Sequence, residues 1–385
     1  MKYSLAFSII STATAILSIH ISPAKAVPNN PQSFEQWCLE KDALSVETRH
    51  TVDVLLMTAK TQDCKLANSK LNSLSELYLV ENQISDIKPL ASLTNLSWLN
   101  LSFNQISDIK PLASLSNLQS LYLANNKIKD VKPLAGLKNL NLLLLDFNQI
   151  SDIRHLASLK NLNELYLNSN QISDIKALAG LTHLNLLHLF SNQISDIKPL
   201  ANLTNLNELY LFSNTISDIS PLASLTNLSF LSIDNNQIID VKPLANLTKL
   251  TLLRLSSNQI SDIKPLGSLT DLTWLNLSFN QIRDIKPLAS LININDLRLE
   301  NNQIVDIKHL EGLTKLDILT LQHNQIRDIK PLASLINIAA LYLSNNQISD
   351  IRSLASLVNI ADLKLDSNPI AEKVCPVKPE TVCKF

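Results

Sequence analysis

The stretch LSWLNLSFNQISDIKPLASLSN, Leu96 to Asn117, decides how this chain is built, because nearly the same 22 letters follow one another along most of its length. An asparagine stands at Asn82, Asn104, Asn126 and every 22nd position on to Asn346 and Asn368, fourteen in all. Five residues before each Asn (Leu77, Leu99, through Leu363) the letter is always Leu, and two after it (Ile84 through Ile370) always Ile. Three before, it is Leu with the single exception of Ile233. Four more columns, beginning at Leu74, Ile87, Leu90 and Leu93, hold only Leu, Ile or Val. One repeat cannot bury seven such side chains by itself, so each is stable only between neighbours. Burying each contributes roughly 1.5–3 kcal/mol, against the ordering entropy of a long thin chain.

Self-similarity at this period is the signature of a leucine-rich repeat solenoid, an α/β fold. The L-x-L segment alternates, so it reads as a short strand with Leu inward. Strands of successive turns then pair in parallel about 4.8 Å apart, giving a curved, concave sheet on the order of 60 Å long. The D-I-K-P-L-A-S segment reads as a tight helical turn, 3-10 or α, on the convex side.

The polar columns have structural explanations. The Asn amide is expected to bond the backbone of adjacent turns. An Asp column runs from Asp86 and Asp108 to Asp350. Calcium-binding β-helix repeats are Gly-rich nonapeptides, and this chain has 4 Gly, so the Asp is expected to cap the following turn. Two residues on, a column from Lys88 to Arg352 is basic except at Ser220. It is matched one for one by acid, so it is not read as a nucleic-acid track.

Residues 1–26 read as a secretory signal peptide: Lys2, an uncharged run from Leu5 to Ile21, then small Ala24 and Ala26 before a cut after Ala26. A membrane anchor is the alternative, but the apolar run is short. No second apolar stretch follows, so no membrane span is expected in the mature chain. Removing Lys2 and Lys25 leaves 31 basic against 34 acidic residues, net −3, which favours neither nucleic acid nor acidic lipid. Residues 27–73 break the repeat and carry amphipathic helical patterns after Ser33 and from Glu47 to Lys60. They are expected to form an N-terminal helical cap over the open end of the solenoid spanning 74–370, about fourteen repeats. Residues 371–385 are expected to form a C-terminal cap. All four cysteines lie in the caps: Cys38, Cys64, Cys375 and Cys383. Four cysteines allow three pairings. The caps are a whole arc apart, so disulfides within each cap, Cys38 with Cys64 and Cys375 with Cys383, are expected, as in an oxidising compartment. A metal site lacks His near either pair.

The run Asn104-Gln105-Ile106-Ser107-Asp108-Ile109-Lys110-Pro111-Leu112 resembles the 22-residue repeats of bacterial internalins. The resemblance covers residues 74–370 and implies a right-handed solenoid whose concave face recognises a protein through aromatic residues. A wall-sorting motif is absent from this sequence. The Trp37-Cys38 and Asp63-Cys64 elements and the tail around Cys375 are similar to leucine-rich repeat proteins of cyanobacterial genomes. Fold alone does not carry the invasion function over.

The outward strand positions lie six, four and two residues before each Asn and vary along the chain. Five of 6 tyrosines and two of 3 tryptophans fall there. Exposed aromatics on a rigid sheet are characteristic of binding hot spots. The candidate partner-binding residues are Trp98, Tyr122, Glu164, Tyr166, Leu186, His188, Phe190, Glu208, Tyr210, Phe212, Phe230 and Trp274, densest from Tyr166 to Phe230. Glu164 and Glu208 border that group and suit a partner with basic character. Aromatic residues are also simply good strand formers, which is the competing explanation. Phe103, Phe147 and Phe279, directly before the Asn, are expected to pack locally between turns. The resulting expectation is an exported, non-catalytic module binding a protein ligand, with a cell-wall glycan as the alternative. No cofactor is implied. The chain shows no H-E-x-x-H, G-x-S-x-G or P-loop motif, so no enzyme activity is expected.

Overall fold

A computed structural model describes residues 33–385; the signal peptide expected over 1–26 lies outside the described residues. Three helices open the fold: α1 (Phe34–Leu39), α2 (Val46–Ala59) and α3 (Cys64–Asn72). Ser33, Ser45 and Asp63 cap them, each side chain accepting from a backbone N–H three residues on. Then come fourteen three-residue strands, β1 (Glu76–Tyr78), β2 (Trp98–Asn100), β3 (Ser120–Tyr122), β4 (Leu142–Leu144), β5 (Glu164–Tyr166), β6 (Leu186–His188), β7 (Glu208–Tyr210), β8 (Phe230–Ser232), β9 (Leu252–Arg254), β10 (Trp274–Asn276), β11 (Asp296–Arg298), β12 (Ile318–Thr320), β13 (Ala340–Tyr342) and β14 (Asp362–Lys364). They pair in parallel and in sequence order, with Leu77 beside Leu99 and every later pair in the same register. A fifteenth strand, β15 (Cys383–Lys384), comes from the C-terminal cap and pairs with β14; nothing in the repeat pattern announces it.

The seven apolar columns form one continuous core, with Leu99, Leu101, Ile106, Ile109, Leu112 and Leu115 all buried in a single turn. The convex turns are 3-10 helices throughout, such as Lys88–Leu90 and Lys110–Ser114. At one end Phe34, Val52, Leu55 and Leu71 of the helical cap continue this core. Thr48 Oγ1 donates to Asp86 Oδ2 at 2.6 Å and Thr51 Oγ1 to the Asp86 carbonyl at 2.6 Å, fastening α2 to the first turn. Both expected disulfides are formed, Cys38–Cys64 and Cys375–Cys383, with Cα–Cα separations of 5.5 and 5.7 Å.

Side chains close the gaps between turns. Asn104 is buried; its Nδ2 donates to the carbonyls of Leu79 (2.8 Å) and Leu101 (2.9 Å), and its Oδ1 accepts from the Ile84 N–H (2.9 Å). From Asn104 to Asn368 each asparagine amide thus bonds its own turn and the one before, where neither strand nor 3-10 bonds reach. A second, interrupted asparagine ladder runs along the flank: Asn95 donates to the Asn72 carbonyl, Asn117 to Thr94 and, at the far end, Asn359 to Ile336, while His183, Lys249, Asp271 and Lys315 replace the Asn in between. Serines form a third. Ser114 Oγ donates to the Ala91 carbonyl at 2.7 Å, and Ser224, Ser268 and Ser290 repeat the bond. These turns run to five residues, whereas those with Asn202 or Asn246 at the same place stop at three. Ser92 occupies the first such place, and its buried hydroxyl has no partner, because the helices α1 and α2 rather than a repeat's turn pack beside it.

The Asp column does not cap as expected. Ile87 and its equivalents occupy the N-cap place, without a side-chain bond. The Asp stands one residue earlier and accepts from the N–H two residues on, 3.0 Å for Asp86 with Lys88 and alike in every repeat to Asp350 with Arg352. This is an Asx-turn that bends the chain into the 3-10 helix. Several Lys or Arg partners also pair with their Asp, as Lys88 does with Asp86 at 3.0 Å. These pairs are largely exposed and contribute little.

Candidate concave binding face

The residue before every ladder asparagine, from Glu81 and Phe103 to Ser367, has a positive φ between 51° and 58°, and none is glycine. That left-handed residue turns the chain off the strand and places the asparagine beneath it. It also points Phe103, Phe147 and Phe279 outward; they are 56%, 52% and 53% exposed rather than packed between turns.

Parallel register sets the remaining outward rows side by side. Positions six and four before each Asn belong to the strands, while the row two before lies just past them and is largely small or polar, with Ser102, Asp146, Asn168 and Ser278 among its buried members. All twelve candidate residues are half-buried: Trp98, Tyr122, Glu164, Tyr166, Leu186, His188, Phe190, Glu208, Tyr210, Phe212, Phe230 and Trp274.

Nine of them form one platform across β5 to β8. Tyr166 meets His188 edge-on at 4.5 Å, and His188 meets Tyr210 at 4.1 Å. Tyr210 stacks on Phe230 at 4.4 Å and Phe190 on Phe212 at 4.1 Å, while His188 links the two rows at 5.8 Å. Glu164 and Glu208 lie in the row of Leu186, and each accepts the hydroxyl of the tyrosine two residues on, Tyr166 and Tyr210, at 3.0 Å. Burial and the neighbouring Glu208 push the Tyr210 phenol up to about 12; burial and Glu164 push Tyr166 up as well. Burial lowers His188 to about 4, so its ring is uncharged at neutral pH. Beside Tyr166, burial raises the Asp146 carboxyl to about 7, although it accepts the Asn168 N–H at 3.1 Å.

The other three candidates stand apart. Trp98 and Tyr122 join Tyr78 in a separate row at 4.1 and 4.8 Å, divided from the platform by Leu142 and Leu144 of β4. Tyr78, 61% exposed, belongs with the candidates; its Glu76-Leu77-Tyr78 strand repeats the tripeptide of β5 and β7, a signal present in the sequence. Trp274 is enclosed by the chain itself. Arg254 and Arg298 lie over its ring at 5.0 and 5.2 Å, and its Nε1 donates to Asp296, which also grips Arg298 at 2.9 Å. On the convex side a groove of about 910 Å³ runs between turns, lined by charges of both signs: Asp262, Lys264, Arg283, Asp284 and Lys286. No group of three or more metal-ligating side chains occurs among the described residues.

Comparison with known proteins agrees with this fold. The pattern described as leucine-rich repeats in two copies matches eleven overlapping segments from 72–114 to 292–334. No curated protein sequence matches the chain. Among solved structures, an internalin (InlF) of Listeria monocytogenes is similar at 39% identity and a TM-score of 0.79, over 84% of this chain and 95% of that one. A leucine-rich repeat protein of Leptospira interrogans is similar at 29% identity and TM-score 0.74, over 80% and 88%. The functional domain of InlJ from Listeria monocytogenes shares the fold at 22% identity and TM-score 0.72, over 91% and 79%. Solenoids of this kind are protein-interaction modules and typically non-enzymatic scaffolds, and the paired cysteines and internalin likeness suit an extracellular or surface setting. With repeats matched over most of its length and that identity to an internalin, the chain belongs to the leucine-rich repeat family and is a bacterial internalin-like member of it.

Proposed function

We propose that this chain is an exported, non-catalytic binding module that recognises a protein ligand on the concave face of its solenoid. The carrying observation is the platform from Tyr166 to Phe230. Six rings in contact across four strands are held half-exposed on a rigid sheet. Rigid aromatic surface binds with little ordering cost, which is why such residues dominate protein interfaces. Export rests on the sequence of residues 1–26 together with the two cap disulfides.

The test is a pull-down from the envelope and culture medium of the source cells, with the purified chain as bait. A variant with Tyr166, Phe190, Tyr210 and Phe212 changed to Ser runs beside it. A protein retained by the parent and lost by the variant is the expected outcome. Equal retention by both moves the site to the convex side or the caps, and retention of glycan alone replaces the protein ligand with a cell-wall polysaccharide.

A further inference from the structure

The concave face uses one chemistry twice, with a difference. Toward the C-terminal end, aromatic rings and carboxylates are satisfied by cations of the chain. Trp274 lies between Arg254 and Arg298, Asp296 holds Arg298, and Lys364 covers Tyr342 at 4.3 Å. These are the cation–π pairs found among the described residues. In the central platform the same elements recur without a cation. Glu164 and Glu208 take part in no ion pair among the described residues, the neutral His188 adds no charge, and the nearest basic side chain on the face, Arg254 on β9, lies over Trp274, with only its longer-range charge reaching Tyr210.

The arrangement has near-twofold regularity. Glu164 and Glu208 flank Leu186 in one row, and Tyr166 and Tyr210 flank His188 in the next. Two strand spacings put the carboxylates roughly 9–10 Å apart. A cation centred over Leu186 and His188 would lie roughly 5 Å from each carboxylate, above a floor formed by His188 packed between Tyr166 and Tyr210. Each glutamate already accepts its tyrosine hydroxyl through Oε2, which fixes the carboxylate and leaves Oε1 for a donor. From β1 through β8 the outward rows carry Glu76, Asp146, Glu164, Glu208 and Asp234 and no Lys or Arg.

We propose that the protein ligand presents a lysine or arginine side chain to this seat, between Glu164 and Glu208 and over Tyr166, His188 and Tyr210. This rests on the protein-binding reading of the concave face and names the chemistry that face recognises. Charge complementarity then sets specificity and arrival rate, while the aromatic floor holds the stem of the side chain.

The probe is a displayed library of random short peptides, selected on the purified full chain. Selected peptides are expected to carry Lys or Arg, and replacing that residue by Gln should weaken binding about tenfold. Glu164→Gln with Glu208→Gln should cost a similar factor, and the two losses should not add, because each removes one side of the same contact. Glutamine keeps the tyrosine bond, so folding is preserved; circular dichroism checks it. Asp42→Asn with Glu372→Gln removes two exposed charges elsewhere and should leave affinity unchanged. Peptides without a cation, no enrichment over bare support, unchanged binding in the double Gln variant, or equal loss in the Asp42 and Glu372 variant would each overturn the seat. The Ser variant of Tyr166, Phe190, Tyr210 and Phe212 separates the two readings. Loss there with the double Gln variant unaffected removes the cation seat alone. No loss there removes the concave-face reading as well.

Discussion

Replacing a single ladder asparagine should test the logic of the solenoid better than any leucine change. Asn214 is buried; its Nδ2 donates to the carbonyls of Leu189 and Leu211, both at 3.0 Å, and its Oδ1 accepts the Ile194 N–H at 3.0 Å. Those carbonyls also accept from Asn192 and Asn236, so they keep a partner when Asn214 is removed. The Ile194 N–H has no second acceptor. Asn214→Ala therefore leaves one buried donor orphaned, roughly 1–3 kcal/mol, and forfeits two shared bonds at about 0.5–1 kcal/mol each. The expected loss is roughly 2–5 kcal/mol. Asn214→Asp should be at least as damaging at neutral pH, since it keeps the Ile194 acceptor but turns an oxygen toward two carbonyl oxygens. Asn82, the first rung, donates only to the nearby Val80 carbonyl and is exposed to solvent on that side. Asn82→Ala should cost less than about 1 kcal/mol. Long repeat arrays can unfold in parts, so urea melts should be paired with hydrogen exchange, which should show increased exchange centred on Ile194. Equal losses for Asn82→Ala and Asn214→Ala, or an Asp variant as stable as the parent, would refute the assignment of the cost to ladder bonds.

Three further outcomes are expected. Opening Cys38–Cys64, which closes a separation of 26 residues, should cost about 3.5 kcal/mol, and opening Cys375–Cys383, separation 8, about 2.5 kcal/mol, measured by urea melts of the Cys→Ser pairs. Ser114→Ala should lose about 1 kcal/mol through its bond to the Ala91 carbonyl, whereas Ser92→Ala, whose hydroxyl has no partner, should be neutral or stabilising in the same melts. The Asp146 carboxyl titrates near 7 in the fold against 3.8 ordinarily, so the native state holds the extra proton between those values and stability falls as pH rises through that window. Asp146→Asn should remove this slope and gain on the parent by on the order of 3 kcal/mol between pH 4 and 7.5; parallel pH profiles would contradict it. His188, lowered to about 4, acts oppositely and loses stability as pH falls below about 6.5, so the Asp146 effect must be read as a difference between variants.

The sequence made the repeat and its core legible because each column reports the same environment many times over. Leu99, Ile106 and Leu112 need no other support. The asparagine ladder was legible for the same reason. What escaped were features outside the repeat or one residue wide. Helix α3 is short and buries only Ala67 and Leu71, too little to impose a helical period on the sequence. Strand β15 pairs across a separation of 20 residues rather than 22, so the period does not reach it. The Asp column has the right composition for a cap, but Ile87 occupies that place and Asp86 acts one residue earlier. Phe103 read as packing because aromatics usually pack; its left-handed backbone turns it outward. On the concave face Trp274 was legible as an outward aromatic, but the folding of Arg254 and Arg298 over its ring depends on side-chain geometry that spacing does not encode.

The identical register of the strand pairs from β1 to β14 makes the sheet a ruler. Because each turn bonds only to the next and in the same way, inserting or deleting a whole 22-residue unit in β4, between the Trp98 row and the Tyr166 platform, preserves every ladder. It moves the two aromatic groups apart or together by one step of about 4.8 Å. The separation of contact patches can thus change in fixed increments while the chemistry of each stays intact, so a ligand of different length could be matched by counting turns rather than by redesigning a surface.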